Sequence, residues 1–417
     1  MLGLQELFDE QIEKIFRSEK LAVRILEHDL KELKIELTDE QRTDLEEQFS
    51  KLRSGTLSFD FDDSQIEGTG LSEEEIKKKL KEAFEGLSHK LQKLLENIDE
   101  TMQNVVDNLS DSVSESVLKT LEGRLTGMLE DQEDMYQNIS DDIDAKWGQP
   151  LGLLQGLIVI ADESAQRRVE RVHENSEDDV VQDLLIRLHA KAIQISKEIL
   201  TLLKYGLSNG AQARWRTLHE IAVIATFVSD HGSSVAEQYI EHEAIDTYKA
   251  AIQYNYYYAR IGAEPISQEQ IDSMKEDYET LLYKHGQSFR HDYGWAASAL
   301  KIKRPTFKDI EASVELDHNR PYYRAASANV HGNPSGVLNN LGLLSEEDII
   351  LSGPSNIGLS TPAQSTIISL NVVTTMLLMH EATLDSIVIG KVISKYGRRA
   401  EDAFIEVESD LLGSMNK

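Results

Sequence analysis

Apolar residues in this chain recur at three- and four-residue intervals along most of its length, and that spacing commits it to helix. Leu4, Leu7, Phe8, Ile12, Ile15 and Phe16 form one such stripe. Ile98, Met102, Val105, Val106, Leu109, Val113, Val117 and Leu121 form a second, narrower one. Leu184, Leu185, Leu188, Ile195, Ile199 and Leu202 form a third. Nothing alternates strand with helix, so a doubly wound sheet is not expected. Only seven prolines fall in 417 residues. The expected fold class is all-α, in two parts. Residues 1–146 read as an acidic helical hairpin or coiled-coil region. Residues 150–417 read as a compact helical-bundle domain. The divide is placed at Trp147-Gly148-Gln149-Pro150, where Gly and Pro punctuate and the apolar faces widen afterwards.

Local signals refine the pattern. Thr38 with Gln41, and Ser72 with Glu75, have the spacing of capping boxes and predict helix starts. Ser54–Ser72 carries three glycines and no helical period, and reads as a loop with a short strand at Leu57–Phe61. Further helices are expected over Leu151–Glu174, Asp178–Tyr205, Ser208–His231, Val235–Ile261, Gln268–His285, Pro305–Glu315 and Arg320–His331. Thr361-Pro362 opens a long helix, with Pro at its first position, and a last helix runs over Arg399–Leu412. Tyr293-Gly294-Trp295 is expected to pack as an aromatic anchor. Leu351–Pro362 reads as a polar connection.

The chain has no cysteine. Disulfides and thiolate metal sites are excluded, and a reducing cytoplasm is the expected location. The N-terminus lacks the basic start and apolar run of a signal peptide. No membrane span is expected, because Ile367–Ile389, the best candidate, is broken by His380, Glu381 and Asp385 and reads as a buried helix. The net charge of −30 argues against a nonspecific nucleic-acid coater, which needs a basic footprint. The charge is uneven, with 37 acids and 18 bases in residues 1–150 against 36 and 25 in the remainder.

Chemistry-bearing residues gather in two segments. In YYRAASANVHGNPSG, Arg324 and His331 are seven positions apart, a spacing that puts both on one helix face with Ser327 between them. A fixed cation beside a titratable imidazole can hold a phosphodiester and move a proton. The same two residues would also serve to cap and salt-bridge a helix end. In ARWRTLHE, Arg214, Arg216, His219 and Glu220 sit on an otherwise apolar helix, and Arg216 and Glu220 are spaced to pair. HEATLD at residues 380–385 lacks the second histidine of a zinc motif, and no phosphate-cradling or dinucleotide-binding glycine motif is present. No metal and no cofactor are expected.

The ARWRTLHE helix, the HDYGWA segment and YRAASANVHGNPSG, in that order, resemble a bacterial family of unknown function over roughly residues 150–400. Arg324 and His331 also resemble the Arg–x4–6–His signature of the HEPN superfamily, at the long end of its spacing. That second resemblance implies an all-α, dimeric, metal-independent endoribonuclease of the kind found in phage defence and toxin–antitoxin systems. It implies RNA as substrate, His331 as general acid or base and Arg324 as the cation for the phosphorane. Arg214, Arg216, Glu220, Ser327 and Tyr323 become candidate substrate-binding residues, and the N-terminal helical region a binder of a protein partner. Two other functions fit the same residues: a noncatalytic helical interaction protein, and a sensor that binds a nucleotide or another anion without turning it over.

Overall fold

The computed structural model describes residues 18–32, 34–51, 69–96, 98–175, 179–343 and 350–415. Among these residues there is no strand, and the all-α expectation is met. Among the described residues fourteen α-helices follow one another. They are α1 (Ser18–Glu32), α2 (Asp39–Lys51), α3 (Glu73–Glu96), α4 (Ile98–Asn175), α5 (Val180–Lys204), α6 (Ser208–His231) and α7 (Ser233–Tyr257). After these come α8 (Gln268–His285), α9 (Ala297–Leu300), α10 (Phe307–Ser313), α11 (Arg320–Val330), α12 (Pro334–Leu338), α13 (Ser360–Met379) and α14 (Leu384–Met415). The stripe from Leu4 to Phe16, and the loop and strand expected around Leu57–Phe61, lie outside the described residues.

Contacts divide the chain into two compact units, Met1–Thr126 and Gly127–Lys417. The first has a small core in which Val23, Leu26 and Leu30 of α1 meet Leu45 of α2 and Ile76 of α3. Both expected capping boxes are present there. Thr38 N–H donates to Gln41 Oε1 at 2.9 Å and Gln41 N–H to Thr38 Oγ1 at 3.2 Å. Ser72 N–H donates to Glu75 Oε2 at 2.9 Å, and Glu75 N–H returns to Ser72 Oγ at 3.4 Å. Val106, Leu109, Val117, Leu121 and Leu125 along α4 are 39–51% exposed.

Helix α4 does not stop at Trp147–Pro150. Pro150 lies inside it. A proline in a helix interior removes the bond to the carbonyl four residues back and costs roughly 3 kcal/mol. Here the helix is held on both sides of the proline, because Ile143, Trp147, Leu151, Leu154, Leu157, Ile158 and Ala161 are all buried. Each large apolar side chain in that stripe contributes about 1.5–3 kcal/mol, which outweighs one proline. The change of composition after residue 150 marks where α4 becomes core, and the backbone continues through it.

The core of the second unit is built around α6 and α13. Helix α6 buries Ala211, Trp215, Leu218, Ala222, Val223, Phe227 and Val228. It packs on α5, α13, α11 and α10. Helix α13 is apolar and long enough to cross a bilayer by length and composition, yet Ala363, Ile367, Leu370, Val373 and Leu377 are buried within this core. The expected long helix from Thr361 ends at Met379, and the expected short last helix begins fifteen residues early as α14. Thr383 and Ser386 explain the restart: Thr383 N–H donates to Ser386 Oγ at 2.7 Å, and Ser386 N–H to Thr383 Oγ1 at 3.2 Å. This is a reciprocal cap made by two hydroxyls.

Two segments are locked by close backbone approach. A Cβ on Gly294 would fall 2.4 Å from the Phe289 carbonyl oxygen. That fit lets Trp295 pack edge-on between Phe227 and Tyr239, at 5.6 and 5.0 Å between centroids, the anchor expected from the sequence. The loop before α13 is tied down as well. Ser355 N–H donates to Gly206 O at 3.0 Å, and the Trp147 indole donates to Asn356 O at 2.9 Å.

Candidate functional site

Helix α6 sorts its two arginines to different neighbours. Residues two apart on a helix point about 200° apart. Arg214 turns to α5, where its Nε pairs with Glu198, and it also donates to Thr217 Oγ1 at 3.4 Å. Arg216 turns to α11. Between them Trp215 points inward and donates to Ser365 O at 2.9 Å and Ser369 Oγ at 3.0 Å. Arg214 therefore lies outside the cluster that holds Arg216, because a carboxylate on α5 claims it.

Arg216 is enclosed by three groups. Glu220, one turn on, places Oε1 3.3 Å from Arg216 Nε, the pairing their spacing predicts. The Tyr323 ring of α11 lies 4.9 Å from the guanidinium carbon, in cation–π range. His331 Nε2 lies 3.4 Å from Arg216 Nη1. The Tyr323 hydroxyl donates to Glu220 Oε1, so α6 and α11 are joined by a closed loop of polar contacts. Burial pushes the Tyr323 phenol up, and its bond to the Glu220 carboxylate adds to the effect. Tyr323 thus stays a donor. Burial alone would lower the Arg216 guanidinium, but Tyr323 and Glu220 together hold it above its ordinary value.

A second polar pair lies beneath this one. His219 Nε2 is 2.8 Å from Glu311 Oε1, and both side chains are buried. Arg320 Nη1 donates to the other carboxylate oxygen of Glu311 at 2.8 Å, and its guanidinium also lies 5.2 Å from the Tyr323 ring centroid. Burial alone would raise the Glu311 carboxyl. The hydrogen bonds from His219 and Arg320 outweigh it and hold Glu311 below the usual carboxylate value. The rings of Phe307 and Tyr323 pack at 5.1 Å, and Tyr323 and His219 at 5.8 Å. Tyr323 is the element common to both layers.

Helix α11 ends at Val330 and His331 is its C-cap, extended at φ −103° and ψ 135° while its N–H still donates to Ser327 O at 3.1 Å. The reason lies in the following residues. Pro334 opens α12 and biases Asn333 away from helical geometry. The Asn333 side chain accepts from Gly336 N–H at 2.8 Å as the N-cap of α12. A Cβ on Gly336 would fall 1.9 Å from Ala328 O, so α12 folds back directly onto α11. His331 sits at this corner with Nε2 toward Arg216 of α6. Arg324 is exposed and makes no ion pair among the described residues. The Ser327 hydroxyl donates to Tyr323 O at 2.8 Å.

Of the candidates named from the sequence, the structure brings Arg216, Glu220, Tyr323 and His331 together and leaves Arg214, Arg324 and Ser327 apart from the Arg216 guanidinium. Sequence reasoning missed Glu311 and Arg320. Glu311 lies on a seven-residue helix with no motif around it, and its burial depends on partners far along the chain. The one available signal is Arg320-Pro321, a cation at a helix start where acids are favoured; a buried carboxylate nearby accounts for it. Chemically, the half-exposed Arg216 guanidinium can only donate. In its contact with His331, Nε2 therefore carries the lone pair, which is engaged by Arg216 for as long as the contact stands.

A model of a family of unknown function (DUF5677) matches residues 182–349. The match is narrower than residues 150–400 but contains all four residues of the Arg216 cluster. Nothing in this match supports a HEPN likeness or an Arg–x6–His motif. No curated protein matches the chain. No solved structure matches it either.

Proposed function

We propose that the Arg216–His331 pair is the reactive centre of a metal-independent endoribonuclease of HEPN type, a role in phage defence or a toxin–antitoxin pair being its setting. The observation that carries this reading is the approach of Arg216 Nη1 to His331 Nε2 at 3.4 Å. When an RNA phosphate draws Arg216 Nη1 onto itself, His331 Nε2 is released and takes the proton of a ribose 2′-hydroxyl. The 2′-oxygen forms a bond to phosphorus and the bond to the 5′-oxygen breaks, that oxygen taking a proton from His331 or from water. The products are a 2′,3′-cyclic phosphate and a free 5′-hydroxyl. Arg216 holds the non-bridging oxygens and stabilises the charge that builds on them. Glu220 and Tyr323 fix the guanidinium. Arg324 is free to reach a neighbouring phosphate.

The test is purified full-length protein with a labelled RNA in the presence of a chelator. Cleavage to cyclic-phosphate ends, lost in His331→Ala protein of unchanged melting temperature, supports the reading. Intact RNA over the same time course sinks it.

One observation favours a second reading, a noncatalytic helical protein that binds a protein partner. Val106, Leu109, Val117, Leu121 and Leu125 expose an apolar stripe on α4, and a stripe of that size is commonly covered by another protein surface. Binding that survives Arg216→Ala and His331→Ala but is lost in Leu121→Glu would support it.

A further inference from the structure

Resting on the ribonuclease reading, we infer that the basic loop Lys301–Arg304, continued by Lys308 and Arg324, is the track for the backbone of a single-stranded RNA leading to His331. The local charge balance here is positive. The chain carries −30 overall, yet residues 290–331 hold seven Lys and Arg against five Asp and Glu. One from each count, Glu311 and Arg320, pair with one another, and Glu311 is buried against His219.

The cations here are available. Lys301, Lys303, Arg304, Lys308 and Arg324 are all exposed. Lys301, Lys303, Arg304 and Arg324 make no ion pair among the described residues. Exposed bases elsewhere are paired in some places, as Lys197 is with Asp162 at 2.8 Å and Lys284 with Glu241 at 2.5 Å, and make no ion pair among the described residues in others, as with Lys391, Lys395 and Arg399 of α14; what distinguishes this loop is where it leads. A run of unpaired cations in so acidic a protein is an electrostatic footprint for a polyanion.

The loop also leads to the site. Lys301 ends α9 in the left-handed region, at φ 59°, and so turns the chain outward. Six residues on, within about 20 Å even if fully extended, comes Phe307. Its ring packs on Tyr323, the Tyr323 ring lies under Arg216, and Arg216 touches His331. The strandedness follows from Tyr322, which is 53% exposed and next in sequence to Tyr323. An open ring offers a stacking face to an unpaired base, and a duplex hides that face of its bases.

The experiment compares protein with an intact loop against Lys301→Gln/Lys303→Gln/Arg304→Gln. Full-length His331→Ala protein, with and without the loop changes, is titrated with a labelled single-stranded RNA of about 12 nucleotides. Wild type and the loop variant are tested for cleavage of the same RNA and of a dinucleotide. The loop variant is expected to bind the long RNA roughly tenfold more weakly. Its log affinity against log salt should flatten by about 2, near 0.7 for each lost phosphate contact, while dinucleotide cleavage is unchanged. Unchanged affinity and salt slope would overturn the track, as would equal preference for duplex RNA or tighter binding to phosphatidylserine vesicles. The two readings fail separately. RNA held through the loop but never cut keeps the track and removes the ribonuclease; long RNA cut and bound equally by both proteins does the reverse.

Discussion

His219 Nε2 meets Glu311 Oε1 at 2.8 Å with neither side chain open to solvent. Removing one partner of a buried hydrogen bond leaves the other unsatisfied and costs about 1–3 kcal/mol, more where a charged group is involved. Glu311→Ala strands both His219 and Arg320 and is expected to fall in that range. Glu311→Gln, which keeps a hydrogen-bonding carbonyl, should lose less. Urea denaturation of the two variants checks the order.

The same carboxylate gives a pH dependence. Its folded pKa is depressed, so the stability it contributes is present above the unfolded value, about 4.3, and is lost as pH falls below that through the folded value. Melting curves from pH 7 to pH 3 should converge for wild type and Glu311→Gln toward the acid end.

A second titration acts at milder pH. Burial pushes the His189 imidazole down to about 4. Thr374 Oγ1, 3.1 Å from Nε2, spends its own hydrogen on Leu370 O, so His189 donates to it as a neutral ring. A histidine with a depressed pKa contributes stability above about pH 6.5 and loses it as pH falls toward 4, by about 3 kcal/mol over the full window. His189→Gln should flatten the stability–pH slope between those values, and an unchanged slope would rule the assignment out.

Substitution of the two candidate arginines separates the geometry from the spacing. Arg216→Ala removes the partner of His331 and Glu220, and RNA cleavage is expected to fall by roughly a hundredfold or more. Arg324→Ala, at an exposed residue without an ion pair, should leave stability within about 0.5 kcal/mol and weaken RNA binding more than the chemical step. Cleavage equally sensitive to both would restore Arg324 to the reactive centre.

Gly336→Ala places a Cβ 1.9 Å from Ala328 O, and the backbone must move. A cost of about 1–3 kcal/mol is expected, together with a displaced His331. Denaturation and RNA cleavage on the same sample should both report the loss, with the Arg216 cluster otherwise intact.

What the sequence made legible was local. The capping boxes at Thr38 and Ser72 needed only four residues each, and α8 begins and ends where its periodicity does. Arg216 and Glu220 pair because four residues on a helix make neighbours. The end of α11 one residue before His331 is not local in this sense, because Asn333, Pro334 and Gly336 build a corner whose tightness depends on Ala328. Pro150 was read as punctuation because its cost is local and the burial that outweighs it is not. Glu311 was invisible for a related reason, since its partners lie on α6 and at Arg320 and no short motif encodes them.

The Trp147 indole meets its acceptor at Asn356, 209 residues later, and its ring packs on Phe404 at 5.9 Å. During synthesis the core segment of α4 therefore leaves the ribosome long before the residues that cover it. The second unit cannot close until α13 and α14 have been made at least as far as Phe404. Until then Trp147, Leu151 and Leu154 lack the residues that cover them.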